Sequence, residues 1–118
     1  MTLNEMDRLV VVRELLELSK PLEEIMAQLA VMDWDYEGDG VVLTRKHLVT
    51  VLQRYLRDEL SDSDIESWAN QIEGREDIQF EAGCEQGIED VLYELANPAL
   101  TQPLDRASAE VLLEKLVE

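Results

Sequence analysis

Apolar residues recur along this chain at the three- and four-residue spacing that is typical of amphipathic helices. In residues 3–18 the repeat is carried by Leu9, Val10, Val12, Leu15 and Leu16. Pro21 is well placed in the first turn of a second helix, PLEEIMAQLAVM, because its fixed φ suits that position. The first quarter of the chain is therefore predicted to form two consecutive helices.

Two further helices have clear start signals. Thr44 is a good N-cap for a third helix, and Ser61, followed three residues later by Asp64, resembles a capping box at the start of a fourth. The apolar stripe of the third helix consists of Leu48, Val51, Leu52, Tyr55 and Leu56. That of the fourth consists of Ile65, Trp68, Ala69 and Ile72.

A fifth helix is predicted over residues 84–96, where Ile88, Val91, Leu92 and Leu95 form the apolar stripe. It should end at Asn97, because a proline pushes the residue before it out of helical conformation. Asp105 or Ser108 then caps a last helix, and Val111, Leu112 and Leu116 are expected to face inward.

Only residues 40–43 and 78–80 favour extended structure, and they are candidates to pair with each other. The short connections between helices indicate a compact all-α fold. The sequence thus predicts one domain over residues 1–118, a bundle of five or six helices with room for one short β-hairpin or strand pair.

Composition agrees with a globular domain of this kind. The chain has 118 residues, of which 46% are hydrophobic, but only 5% are aromatic, so the core must be mostly aliphatic. No apolar run is long enough to span a bilayer, and the N-terminal stretch carries charges unlike a secretory signal. A single cysteine, Cys84, cannot form an internal disulfide, which favours a cytoplasmic location.

Negative charge is concentrated in the middle of the chain. Of the net −17, residues 1–57 contribute −3 (ten acids, seven bases) and residues 95–118 contribute −2 (four acids, two bases). Residues 58–94 contribute −12, with thirteen acids and one base, Arg75. Such a potential repels nucleic acid and anionic membranes and attracts basic partners. The simpler interpretation is that the charge only maintains solubility.

The loop DWDYEGDGVVLT raises the question of a calcium site. Counting from Asp35, oxygen ligands fall at the first, third and fifth positions (Asp35, Glu37 and Asp39), followed by Gly40, as in an EF-hand loop. The twelfth position, where a bidentate glutamate belongs, is Lys46. We therefore predict a turn with solvated acids and no metal site, and keep a calcium-responsive module through residues 35–46 as an alternative.

Catalytic patterns are weak. His47 is the only histidine and is expected to be a half-exposed helix residue, whereas Cys84 is expected simply to begin a helix. The chain contains no phosphate-binding glycine loop, no CxxC pair and no HExxH sequence. The sequence predicts a protein that is not an enzyme and needs no cofactor.

The candidate binding residues combine acids with aromatic side chains. One group lies in the loop and the other around the connection between the third and fourth helices. The loop group is Trp34, Asp35, Tyr36 and Asp39. The second group, which we term the corner carboxylates, is Asp58, Glu59, Asp62, Asp64 and Glu66. Aromatic anchors surrounded by acids are typical of sites that bind basic proteins.

The tract ELSDSDIESWANQIEGREDIQFE, with the later words ELANPAL and LLEKL, resembles a pattern shared by small acidic helical bacterial proteins of unknown function. The likeness covers roughly residues 20–118. In size, acidity and helical makeup the chain is also similar to colicin-type immunity proteins, which neutralise a co-produced toxin by binding it. This second likeness is limited to size, acidity and helical makeup, and it implies no particular binding residues.

The resulting hypothesis is a cytoplasmic, non-enzymatic protein, monomeric or homodimeric, that binds a basic protein partner and neither nucleic acid nor membrane. An immunity-type role against a basic toxin is its most specific form. Besides the calcium alternative, a nucleic-acid mimic and a structural homo-oligomer remain open.

Overall fold

Six helices and one pair of strands make up the part of the chain that the computed structural model describes, residues 5–30, 40–73, 75 and 77–117. The helices are α1 (Glu5–Glu17), α2 (Leu22–Leu29), α3 (Arg45–Leu56), α4 (Asp62–Ile72), α5 (Glu85–Ala96) and α6 (Arg106–Val117). The strands are β1 (Val41–Leu43) and β2 (Ile78–Phe80). The predicted helical bundle with a strand pair is confirmed.

The two strands pair in parallel, with Val41 opposite Ile78 and Leu43 opposite Phe80. A parallel pair requires a crossover, which α3 and α4 supply, so the strands do not form a hairpin. Gly40 allows their close approach, because a Cβ at this position would lie only 2.3 Å from the carbonyl oxygen of Asp77.

Three of the described helices begin with reciprocal side-chain caps. Ser61 accepts a hydrogen bond from the backbone N–H of Asp64, whose carboxylate accepts the N–H of Ser61 in return. Asp105 and Ser108 make the same exchange at α6, so both residues proposed as its cap take part. At α3 the partner of Thr44 is His47, whose Nδ1 accepts the Thr44 N–H at 3.0 Å. Histidine is not the usual residue for this role, and the sequence pattern did not predict it.

The His47 cap should make stability sensitive to mild acid. Burial lowers the pKa of the His47 imidazole below its ordinary value of 6.5, against the opposing pull of Glu17 and Glu81. The folded protein therefore binds this proton more weakly than the unfolded chain does. The stabilisation is fully present above about pH 6.5 and is lost as the pH falls through the folded pKa. Protonated Nδ1 can no longer accept the Thr44 N–H.

We expect the free energy of unfolding to fall by up to about 1 kcal/mol on this account between about pH 6.5 and 5. A His47→Gln variant keeps an acceptor at the same capping position but does not titrate. Urea unfolding of both proteins across this pH range measures the difference, and since His47 is the only histidine, no other imidazole contributes. Parallel pH profiles for the two proteins would contradict the assignment.

The helices pack in pairs around one aliphatic core. α4 packs against α5, α3 against α6, and α1 against α2. The apolar stripes predicted for α4 and α5 are buried throughout. Two predicted inward residues are exposed instead, Val10 in α1 and Val111 in α6. In each helix a neighbouring row of residues faces the core, so that the valine points outward. The buried row of α1 consists of Val11, Val12, Leu15 and Leu16. That of α6 consists of Ser108, Ala109, Leu112 and Leu116.

Trp68 is the largest fully buried side chain of the described core. Its indole N–H donates a hydrogen bond of 2.7 Å to the backbone carbonyl of Leu15. Because Leu15 lies in the last turns of α1, this contact joins α4 to a helix more than fifty residues earlier in the chain.

Candidate protein-binding surface

The acidic segment 58–94 presents most of its carboxylates to solvent. Of its thirteen acids, one is not described, one is buried and two are half-buried. The remaining nine are exposed: Asp58, Glu59, Asp62, Asp64, Glu66, Glu73, Glu85, Glu89 and Asp90. The charge excess seen in the sequence is therefore carried on the surface.

The one buried acid of the segment, Asp77, is held by two arginines. Arg75 donates to both of its carboxylate oxygens at 2.9 Å, from Nε and Nη2, and Arg8 of α1 donates from Nε at 3.0 Å. The side chain of Asp77 is 1% exposed, that of Arg75 6% and that of Arg8 11%. We refer to these three residues as the Asp77 cluster.

Two effects oppose each other in the Asp77 cluster. Burial by itself raises the pKa of the Asp77 carboxyl, but the hydrogen bonds and positive charges of Arg75 and Arg8 outweigh it. The pKa accordingly lies below its ordinary value of 3.8, and Asp77 is ionised at neutral pH.

The position of Arg75 decides how the segment appears to a partner. Arg75 is the only base among residues 58–94, and it is turned inward onto Asp77. The charges of these two residues offset each other inside the protein, so the segment adds no basic side chain of its own to the surface around its exposed acids.

The corner carboxylates are divided between two places. Glu59 lies 3.5 Å from Arg54 and 3.3 Å from Arg57, and with Asp64 it lines a groove that also contains Lys20. This part of the corner has mixed charge.

Two of the other corner carboxylates line a more acidic cleft. Asp62 and Glu66 line a small cleft together with Glu94 of α5, a residue that the sequence did not single out. Asp58, just after α3, has a φ of 63° and so occupies the left-handed conformation that ends this helix. The structure thus brings Asp62 and Glu66 together and adds a third acid to them, whereas Glu59 and Asp64 line the other groove.

The loop candidates Trp34, Asp35, Tyr36 and Asp39 lie outside the described residues, as does Glu37 of the alternative calcium set. Lys46, at the twelfth position of that loop, is an exposed residue of α3. Within the described ranges, no three acid, histidine or cysteine side chains are grouped so that they could hold a metal ion.

A second acidic surface was missed by the sequence pattern. A groove of about 580 Å³ lies between the end of α4, strand β2 and α5. We term it the acidic groove, and its main lining residues are Glu73, Phe80, Glu89, Asp90, Tyr93 and Glu94. Tyr93 is 47% exposed. A signal was available in the sequence, since Tyr93 falls off the apolar stripe of α5 and lies among acids.

The residues weighed for catalysis have structural surroundings. His47 is half-buried, as expected, and is engaged in the cap of α3. Cys84 is half-buried at the position immediately before α5, and its side chain makes no capping hydrogen bond.

None of the helices in the described part of the chain combines the length and the apolar character needed to cross a membrane. Comparison of the chain with models of protein families, with curated proteins and with solved structures gave no match.

Proposed function

We propose that this chain is a non-enzymatic, acidic protein-binding domain that covers a basic surface on a partner protein. The observation that carries the proposal is the burial of Arg75 against Asp77, which leaves the exposed acids of residues 58–94 without a surface base from their own segment. A chain that needed charge only for solubility could intersperse both signs, as stable soluble surfaces commonly do.

The physical advantage of such a surface lies in the encounter step. A potential of one sign over a large area steers an oppositely charged partner and raises the association rate by about tenfold to a thousandfold at low salt. The effect falls as salt is added, because exposed charges are screened. Binding by this protein is therefore expected to be fast and sensitive to salt.

The most specific form of the proposal is an immunity-type protein that neutralises a basic toxin. Its support is the combination of small size, net charge of −17 and a helical fold, which is similar to that of colicin-type immunity proteins. A partner enzyme with a basic active site would be blocked simply by being covered.

Capture of partners from a lysate of the native host tests the binding proposal. The immobilised protein is washed in parallel at low and high salt, and a basic protein held at stoichiometric amounts and lost at high salt is the expected result. An empty column at low salt would contradict the proposal, and sedimentation at two protein concentrations would then test the homo-oligomer alternative.

Charge substitution in the cleft lined by Asp62 and Glu66 gives a quantitative prediction for the association rate. With the captured partner, Asp62→Asn combined with Glu66→Gln is expected to slow association about fivefold to tenfold at low salt and to reduce its salt dependence. The matched control is Glu110→Gln with Glu114→Gln, which removes two exposed charges from α6 outside the acidic segment. Equal association rates for the cleft variant and the unaltered protein would rule out this region as the binding surface.

The toxin part of the proposal has a separate test. The captured partner, expressed alone, should arrest growth, and co-expression of this chain should restore it. Restored growth with the control variant but slower recovery with the cleft variant is expected. A partner that is harmless when expressed alone would leave a binding domain but overturn the immunity role.

A further inference from the structure

The acidic groove is lined by apolar residues as well as carboxylates. These are Leu92, which is buried, Phe80, which is half-buried, and Tyr93, whose ring is exposed. An exposed aromatic ring among carboxylates offers a partner both an apolar face and a surface that attracts a cation.

The carboxylates of the groove form no close ion pair with a basic side chain of the described residues, although Lys115 of α6 lines a neighbouring cleft with Asp90 and Glu94. Asp90 accepts a hydrogen bond from the amide of Gln86 at 2.8 Å, and Glu94 accepts one from the amide of Gln102 at 3.2 Å. Both donors are neutral. Among the ion pairs formed by the described residues, none involves a carboxylate of this groove.

The arrangement of charge along α5 also works against the stability of the helix. Asp90 and Glu94 are four residues apart and therefore lie on the same face, where like charges cost about 0.2–0.5 kcal/mol in an isolated helix. Glu89, four residues before Tyr93, lies on the same face of α5 as that residue. A cation in the groove would relieve the repulsion and contact the ring at once.

We infer that the acidic groove binds an arginine side chain projecting from a basic segment of the partner protein. This inference rests on the proposed function and assigns it a contact point. A guanidinium group is planar, so it can stack on the Tyr93 ring while its N–H groups donate to the carboxylates of Glu89 and Asp90. A lysine ammonium cannot stack in this way and is more strongly hydrated, so the groove should prefer arginine.

Two further features fit a peptide segment and argue against other occupants. Leu100 is 75% exposed and directly precedes Thr101, which lines the groove, so it offers an apolar contact to residues beside the arginine. A second copy of this chain is disfavoured as the occupant, because it carries the same net charge of −17.

Titration with a synthetic oligo-arginine peptide tests the inference, with an oligo-lysine peptide of equal length for comparison. Backbone amide NMR shifts are recorded at low salt. The expected result is saturable binding with the largest shifts at residues around Tyr93 and Thr101, and tighter binding of the arginine peptide. Shifts spread evenly over all exposed acids, or equal affinity for the two peptides, would overturn the assignment.

Two sets of variants separate the contribution of the Tyr93 ring to peptide binding from that of the carboxylates. Tyr93→Leu keeps an apolar side chain but removes the aromatic face, and it is expected to weaken oligo-arginine binding about threefold to tenfold. Glu89→Gln with Asp90→Asn should weaken it by about tenfold and flatten its salt dependence. The control variants, Val111→Leu and the Glu110→Gln, Glu114→Gln pair, change exposed residues of α6 and should leave the affinity within about twofold.

Folding cannot account for losses in these variants if their melting temperatures are not lowered. This is expected because the carboxylate substitutions remove repulsion and Tyr93 is on the surface. The outcome also distinguishes the two proposals. Peptide shifts centred on Asp62 and Glu66 would overturn the groove assignment while leaving a basic partner in place. An empty capture column at low salt would instead remove the partner, whatever the peptide does.

Discussion

Asp77→Asn is expected to lower the free energy of unfolding by about 3–5 kcal/mol, because it removes the negative charge from a buried ion cluster that contains two guanidinium groups. Arg8 and Arg75 both donate hydrogen bonds to this carboxylate, and both of their side chains are almost fully buried. Asparagine has nearly the same shape and can still accept one hydrogen bond, so the loss reports the negative charge rather than a cavity.

Urea unfolding followed by circular dichroism gives the comparison. Asp90→Asn is the matched control, since it makes the same chemical change at an exposed position of the same acidic segment and should alter stability by less than about 0.5 kcal/mol. A loss for Asp77→Asn as small as that of the control would show that the Asp77 cluster does not hold the fold together.

The same cluster determines a response to acid. The pKa of Asp77 is lower in the folded protein than its ordinary value of 3.8, so the folded state binds this proton more weakly than the unfolded chain. Its stabilisation is present above that value and is lost as the pH falls through the folded pKa. The difference in unfolding free energy between the unaltered protein and Asp77→Asn should therefore be constant near neutral pH and shrink below about pH 4. A constant difference down to the acid end of the range would contradict the assigned ionisation.

The Asp77 cluster also shows where sequence patterns stop being informative. Helix starts were predicted at Thr44 and Ser61 because a cap is decided by residues three positions apart. Asp77 directly precedes the extended segment 78–80, where the sequence pattern predicted a strand but no buried charge. Its partner Arg8 is 69 residues away, and no local periodicity encodes a contact of that range.

Prediction of the candidate site from the sequence was limited in the same way. The corner carboxylates are consecutive or nearly so, and all five are exposed in the structure. It could not separate Glu59, which lies beside Arg54, from Asp62, which lies beside Glu94, since both neighbours come from other helices. The acidic groove is assembled from α4, β2, α5 and the turn at Thr101, so only the outward position of Tyr93 was visible in advance.

The second large effect is expected at Trp68. Trp68→Ala should lower the free energy of unfolding by about 3–5 kcal/mol, since it leaves a large cavity in a core that is otherwise aliphatic. Trp68→Phe preserves most of the apolar contact but removes the hydrogen bond of the indole N–H to the Leu15 carbonyl. That carbonyl retains the N–H of Leu18 as a donor, so the phenylalanine variant should lose only about 1–2 kcal/mol.

Chemical unfolding of both Trp68 variants, with Tyr93→Ala as the control, resolves these contributions. Tyr93 is an aromatic residue of α5 that is about half exposed, so its removal should cost less than about 1 kcal/mol. A cost for Trp68→Phe equal to that of Trp68→Ala would mean that the hydrogen bond to α1, rather than the packing, fixes the position of α4. The contrast bears on function as well. If the core aromatic sustains the fold and the surface aromatic does not, stability gives no reason for the placement of Tyr93 among carboxylates, as the proposed arginine contact requires.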